Sequence, residues 1–187
     1  MQNYLDGEPI GSLIGHRGTE AEVEVIATFL PRVVIDSLAT ALEMADLEMA
    51  SITLEPIAAM HVVVPPTMRM LNIALVDIGA GTSDIAVAAE NTIKAYGMVS
   101  IAGDEMTEHL AQRYLLDLTV AETVKKTALP GNTVECHDAF GNFLTLSSDE
   151  VLDALVPYAQ QLTEAISAEI LALNDGPPKG VLLIGGG

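Results

Sequence analysis

The stretch LVDIGAGTSDIAV, residues 75–87, decides the fold prediction for this chain. Its centre holds the small residues Gly79, Ala80 and Gly81, and apolar residues alternate with other residues on both sides. Alternation is typical of half-buried strands, and neighbouring glycines allow a tight turn in which several backbone N–H groups converge. Such a turn can bind an anion, with the hydroxyl of Thr82 as a further donor. An ordinary glycine-rich hairpin explains the stretch alone equally well.

Asp77 ends the first of these strands and brings a carboxylate to the turn. Mg²⁺ favours carboxylate and phosphate oxygens, so this aspartate would suit a Mg²⁺ ion bound through its waters. The stretch is not a P-loop, because the chain has no Gly-Lys pair followed by Ser or Thr. It is not a dinucleotide fingerprint either, because Asp84 stands where a third glycine is needed and a strand follows. The turn is therefore predicted to join two strands.

The charge of the chain excludes several classes of partner. Lys and Arg number 8 against 26 Asp and Glu, a net charge of −18, which argues against a groove for nucleic acid or anionic lipid. A bound phosphate would have to be held by backbone N–H groups and a metal ion. Cys136 is the only cysteine and no signal-peptide pattern is present, so a cytoplasmic location is expected. No apolar run is long enough to be a membrane segment.

Before the turn, the sequence predicts a small unit of strand and helix, followed by a second helix. Residues 1–20 are rich in glycine and turn residues and are expected to form a loop with one short strand. Alternation predicts a half-buried strand at residues 21–30, and helical spacing follows Pro31, which suits the first helical position. A short strand is expected at residues 51–54, directly before a helix that Glu55 opens.

Around and after the turn, the period of the apolar residues changes from strand to helix. Three strands, at residues 71–76, 84–89 and 92–99, are predicted to form a meander. Helical spacing begins after Asp104, a good N-cap, and Pro157 is expected to kink or split a long later helix. The remaining predicted elements are a short helix at residues 121–129, a hairpin of residues 133–140 and 143–146, and a final buried strand in VLLIGGG, residues 181–187.

Five motifs, in order along the chain, resemble those of the actin-like ATPase superfamily, which includes actin, the DnaK-type chaperones, sugar kinases and FtsA. They are LEPIAAM at residues 54–60, DIGAGTSD at 77–84, AGDEMTEHL at 102–110, AETVKK at 121–126 and VLLIGGG at 181–187. The second is similar to the superfamily's second phosphate motif, and the last is similar to its adenosine motif. Five motifs in the right order are far more specific than one glycine turn.

The start of the chain resembles one branch of the superfamily. YLDGEPIGSLIGHRG, residues 4–18, with the following EAEVEVIA, is similar to the subdomain called 1C that FtsA and the pilus protein PilM carry. The resemblance implies an α/β fold, an actin-like ATPase (ribonuclease H-like) domain II with an FtsA-type 1C subdomain at the start. The implied parts are 1C at residues 1–50, the end of domain I at 51–67, subdomain IIA at 68–103 and 176–187, and subdomain IIB at 104–175.

The same resemblance implies residue roles at the phosphate end of a nucleotide site. Asp77 would be the catalytic carboxylate that positions Mg²⁺ and water, and Glu55 would face the metal or the attacking water. A hydrolytic site of this kind needs a polarised water, a neutralising metal and preorganised donors rather than a covalent nucleophile. The phosphate contacts would come from Gly79, Ala80, Gly81, Thr82 and Gly103.

Further roles are implied at the nucleoside end. Glu122 and Lys125 would reach the ribose hydroxyls, and Lys126 would lie beside the adenine. Gly185 and Gly186 would pass close under the nucleoside. On spacing alone, the glutamate and the two lysines are better explained as salt bridges along one helix, and only the order of motifs favours the binding role.

The resemblance covers about half of a nucleotide cleft. No DxGT-type hairpin lies upstream, so the first phosphate motif is missing, and Ala102 stands where the chaperones have a glycine. We therefore expect a piece of a longer protein that alone binds ATP weakly and hydrolyses it negligibly, with ATPase activity reserved for the full-length protein.

The implied function is that of an FtsA-like, ATP- and Mg²⁺-dependent polymerising or scaffolding protein of bacterial cell division. The expected partners are ATP or ADP, further copies of the protein, and cell-division or pilus proteins. A PilM-like pilus-assembly protein, or another actin-fold scaffold that does not hydrolyse ATP, is the alternative. A sugar kinase or chaperone is disfavoured, because the chain shows no sugar site and the chaperones lack the 1C-like start.

Overall fold

The computed structural model of the chain describes residues 2–25 and 27–187, which form three sheets and six helices. In chain order the elements are β1 (Gln2–Leu5), β2 (Glu8–Ile10), β3 (Ala21–Glu24), α1 (Arg32–Met44), α2 (Glu55–Val63), α3 (Pro66–Arg69), β4 (Ile73–Ile78), β5 (Ser83–Ala89), β6 (Thr92–Val99), α4 (Gly103–Tyr114), α5 (Leu118–Thr127), β7 (Thr133–His137), β8 (Phe143–Ser147), α6 (Ser148–Asn174) and β9 (Gly180–Gly185). None of the helices within these residues is both long and apolar enough to cross a membrane.

The central sheet has four strands in the order β6-β5-β4-β9. β4, β5 and β6 pair antiparallel as consecutive strands, which confirms the predicted meander. β9 returns from the far end of the chain and pairs parallel to β4, with Ile184 opposite Asp77. The predicted final strand therefore forms, but at an edge of the described sheet its residues are alternately half-buried and exposed rather than fully buried.

The two faces of the central sheet carry different helices. Because side chains alternate along a strand, Ala74 and Val76 point to one face and Ile73 and Leu75 to the other. The first face packs against α6, and the second packs against α2 through Met60 and other apolar residues. The sheet is therefore the middle layer of three, and both of its faces are buried in the way an α/β fold requires.

A second apolar core lies beside the sheet. It is built from α4, α5, the β7–β8 hairpin and the first half of α6. Its most buried members are Leu110, Ala121, Val124 and Val151. Met106 of α4 packs against both cores, so this helix connects the two halves of the molecule.

The long helix α6 runs through both cores without interruption from residue 148 to residue 174. Of the two outcomes predicted for Pro157, a kink or a split, the split does not occur, because Leu155 packs into the second core and Leu162 packs under the sheet. Burial on both sides of the proline holds the helix together, although proline has no N–H to donate to the carbonyl of Asp153. The helix therefore lacks one backbone hydrogen bond between the two cores.

The first fifty residues contain more strand than the sequence predicts. Instead of one short strand, residues 1–20 contribute β1 and β2, which join β3 in an antiparallel sheet of order β2-β1-β3. The carboxylate of Asp6 accepts hydrogen bonds from the amides of Thr19 and Glu20, which ties the distant ends of this unit together. The predicted strand at residues 21–30 covers only Ala21–Glu24 and is exposed; Ile26 lies outside the described residues.

One further sequence prediction fails at the local level. No strand forms at residues 51–54, because a strand needs a neighbour for its backbone groups and none of the described sheets includes these residues. The helix α2 nevertheless begins at Glu55 as predicted. The division of the chain into named subdomains stays a prediction from the resemblance.

Candidate functional site

The glycine turn after β4 meets the start of α4. The amide of Gly103 donates to the carbonyl of Gly79 at 3.2 Å, and the amide of Asp104 donates to the carbonyl of Ala80 at 2.8 Å. The turn itself is closed by the amide of Gly79, which donates to the carbonyl of Thr82 at 2.9 Å. The N-terminus of a twelve-residue helix therefore lies directly beside the turn.

The start of α4 differs from the sequence prediction. Asp104 is not the N-cap; the cap is Ala102, whose amide donates to the carboxylate of Glu105 at 3.0 Å. The helix begins earlier because this glutamate satisfies the cap amide, while the amide of Asp104 is already bound to the glycine turn. The carboxylate of Asp104 instead lies beside Gly81, where an added Cβ would stand 3.7 Å from its Oδ2 atom.

The turn after β9 also lies against the end of β4, next to the glycine turn. The amides of Gly186 and Gly187 both donate to the carbonyl of Ile78, at 3.1 and 2.9 Å. Gly185 has a φ of +106°, and a Cβ there would collide with the Ile78 carbonyl and stand 2.7 Å from Oδ1 of Asp77. Only glycine allows the two strand ends to come this close.

Gly103 is also at a close approach. A Cβ on it would lie 3.0 Å from the Cα of Gly187 and 3.1 Å from Nζ of Lys125. Three glycine segments that are far apart in the sequence, at residues 79–81, 103 and 185–187, therefore form one small backbone surface. The resemblance implies that these glycines line one nucleotide site, and in the structure they lie next to one another.

This backbone surface can bind an anion. Within the described part of the chain, no hydrogen bond uses the amides of Ala80, Gly81 and Thr82, and all three residues are exposed. The positive end of the α4 dipole points to the same place. Three available donors at a helix N-terminus suit phosphate oxygens, and the glycines leave room for them.

Asp77 lies at the end of β4, half-buried, with Asp84 directly opposite it on β5. Directly opposite residues of an antiparallel pair lie on one face of the sheet, and two like charges there are unfavourable without a cation. No group of three His, Cys, Asp or Glu side chains that could hold a metal occurs among residues 2–25 and 27–187. The residues present fit Mg²⁺, which is commonly held by one or two carboxylates together with substrate phosphates.

Glu55 is the first residue of α2 and is exposed. α2 covers the face of the sheet that holds Ile73 and Leu75, and Asp77 continues that face because side chains alternate along the strand. The carboxylate of Glu55 makes no hydrogen bond or ion pair with any described residue. The structure places Glu55 and Asp77 on one face of the sheet without bringing them into contact.

Glu122 and the two lysines of α5 form the salt bridges that their spacing predicts. Nζ of Lys125 lies 2.7 Å from Oε2 of Glu122, and Nζ of Lys126 lies 2.8 Å from Oε1. Hydrogen bonds from Lys125, Lys126 and Thr107 lower the pKa of this glutamate to about 2. Both carboxylate oxygens are therefore engaged, and the group stays ionised at every physiological pH.

A cavity of about 460 Å³ opens between α4 and α5, next to the glycine surface. Lys126 lies at this cavity with most of its side chain exposed, whereas the side chain of Lys125 is only 10% exposed and donates to the carbonyl of Gly103. The lining residues are Asp104, Thr107, Glu108, Leu118, Thr119, Glu122, Thr123 and Lys126. The cavity thus lies at the side of the site that the resemblance assigns to the nucleoside.

The sequence reasoning missed three residues of this site. Asp84 stands opposite Asp77, and the symmetry of DIGAGTSD about its turn could have revealed that pair. The sequence predicts Asp104 as a helix cap, whereas in the structure it flanks the glycine turn. Nothing in the sequence singles out Thr107, because a threonine one turn into a helix gives no signal until its partner helix is known.

The comparisons with known proteins agree with this geometry. The family model described as "Cell division protein FtsA" matches residues 74–139, which include the glycine turn, α4 and α5. The FtsA of Pseudomonas aeruginosa is 26% identical over 198 residues, which cover 99% of this chain and 48% of that protein. The cell shape-determining protein MreB of Escherichia coli K12 is 32% identical over 158 residues, which cover 71% of this chain and 45% of MreB. The chain spans about half the length of these curated relatives.

Solved structures show the same fold. The crystal structure of MreB5 of Spiroplasma citri bound to ADP matches with a TM-score of 0.64 and 18% identity, over 84% of this chain and 54% of that one. A chain of the PilM–PilN type IV pilus biogenesis complex matches with a TM-score of 0.64 and 22% identity, over 83% of this chain and 41% of that one. The predicted actin-like fold is confirmed, and the chain is similar to FtsA and MreB of the actin-like ATPase superfamily.

Proposed function

We propose that this chain forms one wall of the nucleotide site of an FtsA-like ATPase, an ATP- and Mg²⁺-dependent polymerising or scaffolding protein of bacterial cell division. The observation that carries the proposal is the meeting of the three glycine segments at the N-terminus of α4. There, unused backbone donors, a helix N-terminus and a pair of facing carboxylates lie together. The FtsA and MreB relatives support the cellular role.

The parts of ATP have distinct places in this proposal. The phosphates bind the amides of Ala80, Gly81 and Thr82 and approach Gly103. The nucleoside occupies the cavity beside Lys126, with Gly185 and Gly186 beneath it. MreB5 of Spiroplasma citri is bound to ADP in one crystal structure and to AMPPNP in another, which supports a nucleotide here. With a net charge of −18, the chain would bind ATP poorly unless a cation offset the phosphates.

Mg²⁺ supplies charge neutralisation when it is bound with the nucleotide. Asp77, with Asp84 opposite, would hold the ion on the face of the sheet that leads to the phosphate turn. Glu55, on the same face, would orient the attacking water. The backbone donors of residues 80–82 would stabilise the charge that develops on the phosphate oxygens. None of these roles needs a covalent nucleophile, in keeping with the chemistry of phosphoryl transfer to water.

An ATP titration of this chain, followed by amide NMR shifts with and without MgCl₂, tests the proposal. We expect weak, Mg²⁺-dependent binding that shifts the amides of residues 80–82, together with negligible phosphate release. Asp77→Asn should abolish the Mg²⁺ dependence. Asp153→Asn, which changes an exposed aspartate on α6 outside this cavity, is the matched control and should bind ATP as the unchanged chain does. Shifts confined to other parts of the chain would contradict the proposal, and tight binding would contradict the half-cleft interpretation.

A PilM-like scaffold that does not hydrolyse ATP is the second candidate. The PilM–PilN match favours it, since that structure is a type IV pilus biogenesis complex. The FtsA family match makes cell division the better supported process. Nucleotide binding without hydrolysis in the longer protein, together with capture of a pilus protein, would favour this candidate. Self-association, the partner proteins and a cytoplasmic location stay predictions.

A further inference from the structure

Thr107 connects the phosphate side of the site to α5. It lies one turn into α4 and is 6% exposed. Its hydroxyl oxygen is 2.5 Å from Oε2 of Glu122, 2.8 Å from Nζ of Lys125 and 3.2 Å from the carbonyl of Gly103. A hydroxyl has one hydrogen to donate, and the shortest contact is to an ionised acceptor. Thr107 therefore donates to Glu122 and accepts from Lys125.

Lys125 is fully occupied by these neighbours. Its three N–H donors have three acceptors, which are Glu122 at 2.7 Å, Thr107 at 2.8 Å and the carbonyl of Gly103 at 3.0 Å. Its side chain is only 10% exposed. An ammonium group with no donor to spare and little exposure is poorly placed to bind a ribose hydroxyl.

The ammonium group nevertheless lies close to the phosphate side. Nζ of Lys125 is next to Gly103, whose amide holds the carbonyl of Gly79 in the glycine turn. A cation is normally unfavourable at the positive end of a helix, and here Glu122 offsets it. The arrangement fixes the first turn of α4 between α5 and the phosphate turn.

We propose that Thr107 and Lys125 are positioning residues of the nucleotide site, which hold Gly103 at the distance from residues 79–82 that the phosphates require. This inference rests on the proposed nucleotide function and departs from the ribose role that the resemblance implies for Lys125. Thr107 lines the cavity, but its hydroxyl is already engaged by Glu122 and Lys125, and Lys125 has no donor left for the nucleotide. Their effect falls on the phosphates rather than on the nucleoside, because Lys125, which donates to Thr107, also donates to the carbonyl of Gly103.

Thr107→Val tests the inference, because valine keeps the shape of threonine and removes the hydroxyl. We expect affinity for ATP in MgCl₂ to fall about tenfold, the loss typical of removing a hydrogen bond to a charged group. Affinity for adenosine should stay unchanged. Thr107→Ser keeps the hydroxyl and should restore ATP affinity. Thr127→Val is the matched control, because that threonine lies on α5 outside the cavity lining and donates only to the carbonyl of Thr123 on its own helix.

Lys125→Met provides a second route if the first variant folds poorly. It removes the ammonium group that bonds both Thr107 and the carbonyl of Gly103. Because both variants break the same set of hydrogen bonds, the double variant should lose no more ATP affinity than either single variant. Circular dichroism of each variant would establish that the fold is intact. Equal loss of ATP and adenosine, failure of serine to restore affinity, or additive losses would each overturn the inference.

The two proposals fail in different ways in this experiment. If the unchanged chain binds neither ATP nor adenosine at millimolar concentration, the proposed function fails and the inference fails with it. If the unchanged chain binds ATP and Thr107→Val binds it equally well, only the inference is overturned.

Discussion

Gly185 shows how single residues set the geometry of the site. Its positive φ lets β9 end against the carbonyl of Ile78, and this contact brings the last glycine segment to the phosphate turn. The next residue, Gly186, has open space around its Cβ position and no left-handed φ. Of these two adjacent glycines, only Gly185 stands where a side chain would be strained, although the sequence does not distinguish them.

Gly185→Ala should therefore destabilise the chain while Gly186→Ala should not. A left-handed non-glycine residue that also collides with backbone should cost about 2 kcal/mol or more, whereas the neighbouring change should stay within about 0.5 kcal/mol. Urea unfolding followed by circular dichroism measures both. Equal stability of the two variants would show that the close approach at Ile78 is not needed.

Other single residues were beyond what the sequence could predict. Asp77 and the glycine turn are recognisable because turn chemistry is local. Asp84, Asp104 and Thr107 are not recognisable from the sequence, because each of them acts together with a residue of another element. The roles of the predicted site residues, among them Glu55 and Lys126, stay predictions.

At the scale of elements, α6 is where the two halves of the molecule are connected. Its first half belongs to the core with α4 and α5, and its second half packs under the central sheet. Pro157 lies between them and leaves one helical hydrogen bond unmade. The period of the apolar residues predicted the helix correctly, but the proline alone suggested a break that packing on both sides prevents.

Pro157→Ala should stabilise the chain, because it restores the missing hydrogen bond at an exposed position. Alanine is favoured over proline in a helix interior by about 3 kcal/mol, and we expect a gain of at least about 1 kcal/mol. Pro130→Ala, in the turn after α5, is the control and should give no gain, because no helical bond is restored there. Thermal unfolding would measure both, and a loss of stability in the first variant would argue that the proline is accommodated without strain.

At the scale of the whole molecule, burial is uneven. None of residues 3–25 and 27–50 is buried, whereas β4 and β5 supply most of the fully buried side chains of the central sheet. Thr28, in the first fifty residues, contacts the central sheet: its hydroxyl lies 2.7 Å from the hydroxyl of Tyr96 on β6. The start of the chain therefore contributes little to the core.

Amide hydrogen exchange should reveal this difference. Amides of β4 and β5 should exchange only through global unfolding, while those of β1, β3 and α1 should exchange at least about a hundredfold faster through local opening. Peptide-resolved mass spectrometry of the whole chain measures both sets in one experiment, with α6 as an internal reference. Equal protection of the two sets would contradict the uneven distribution of stability.

The sequence by itself determined the local features of this protein: the meander, the glycine turn, the helical periods and the order of motifs. These follow from alternation, turn chemistry and spacing, which depend on neighbours along the chain. Only the tertiary structure decided that Gly79, Gly103 and Gly185 meet at one point and that Thr107 joins Lys125 beneath it. Those contacts depend on β9 pairing with β4 and on α5 packing against α4, because residues far apart in sequence meet only once the sheet and both cores have formed.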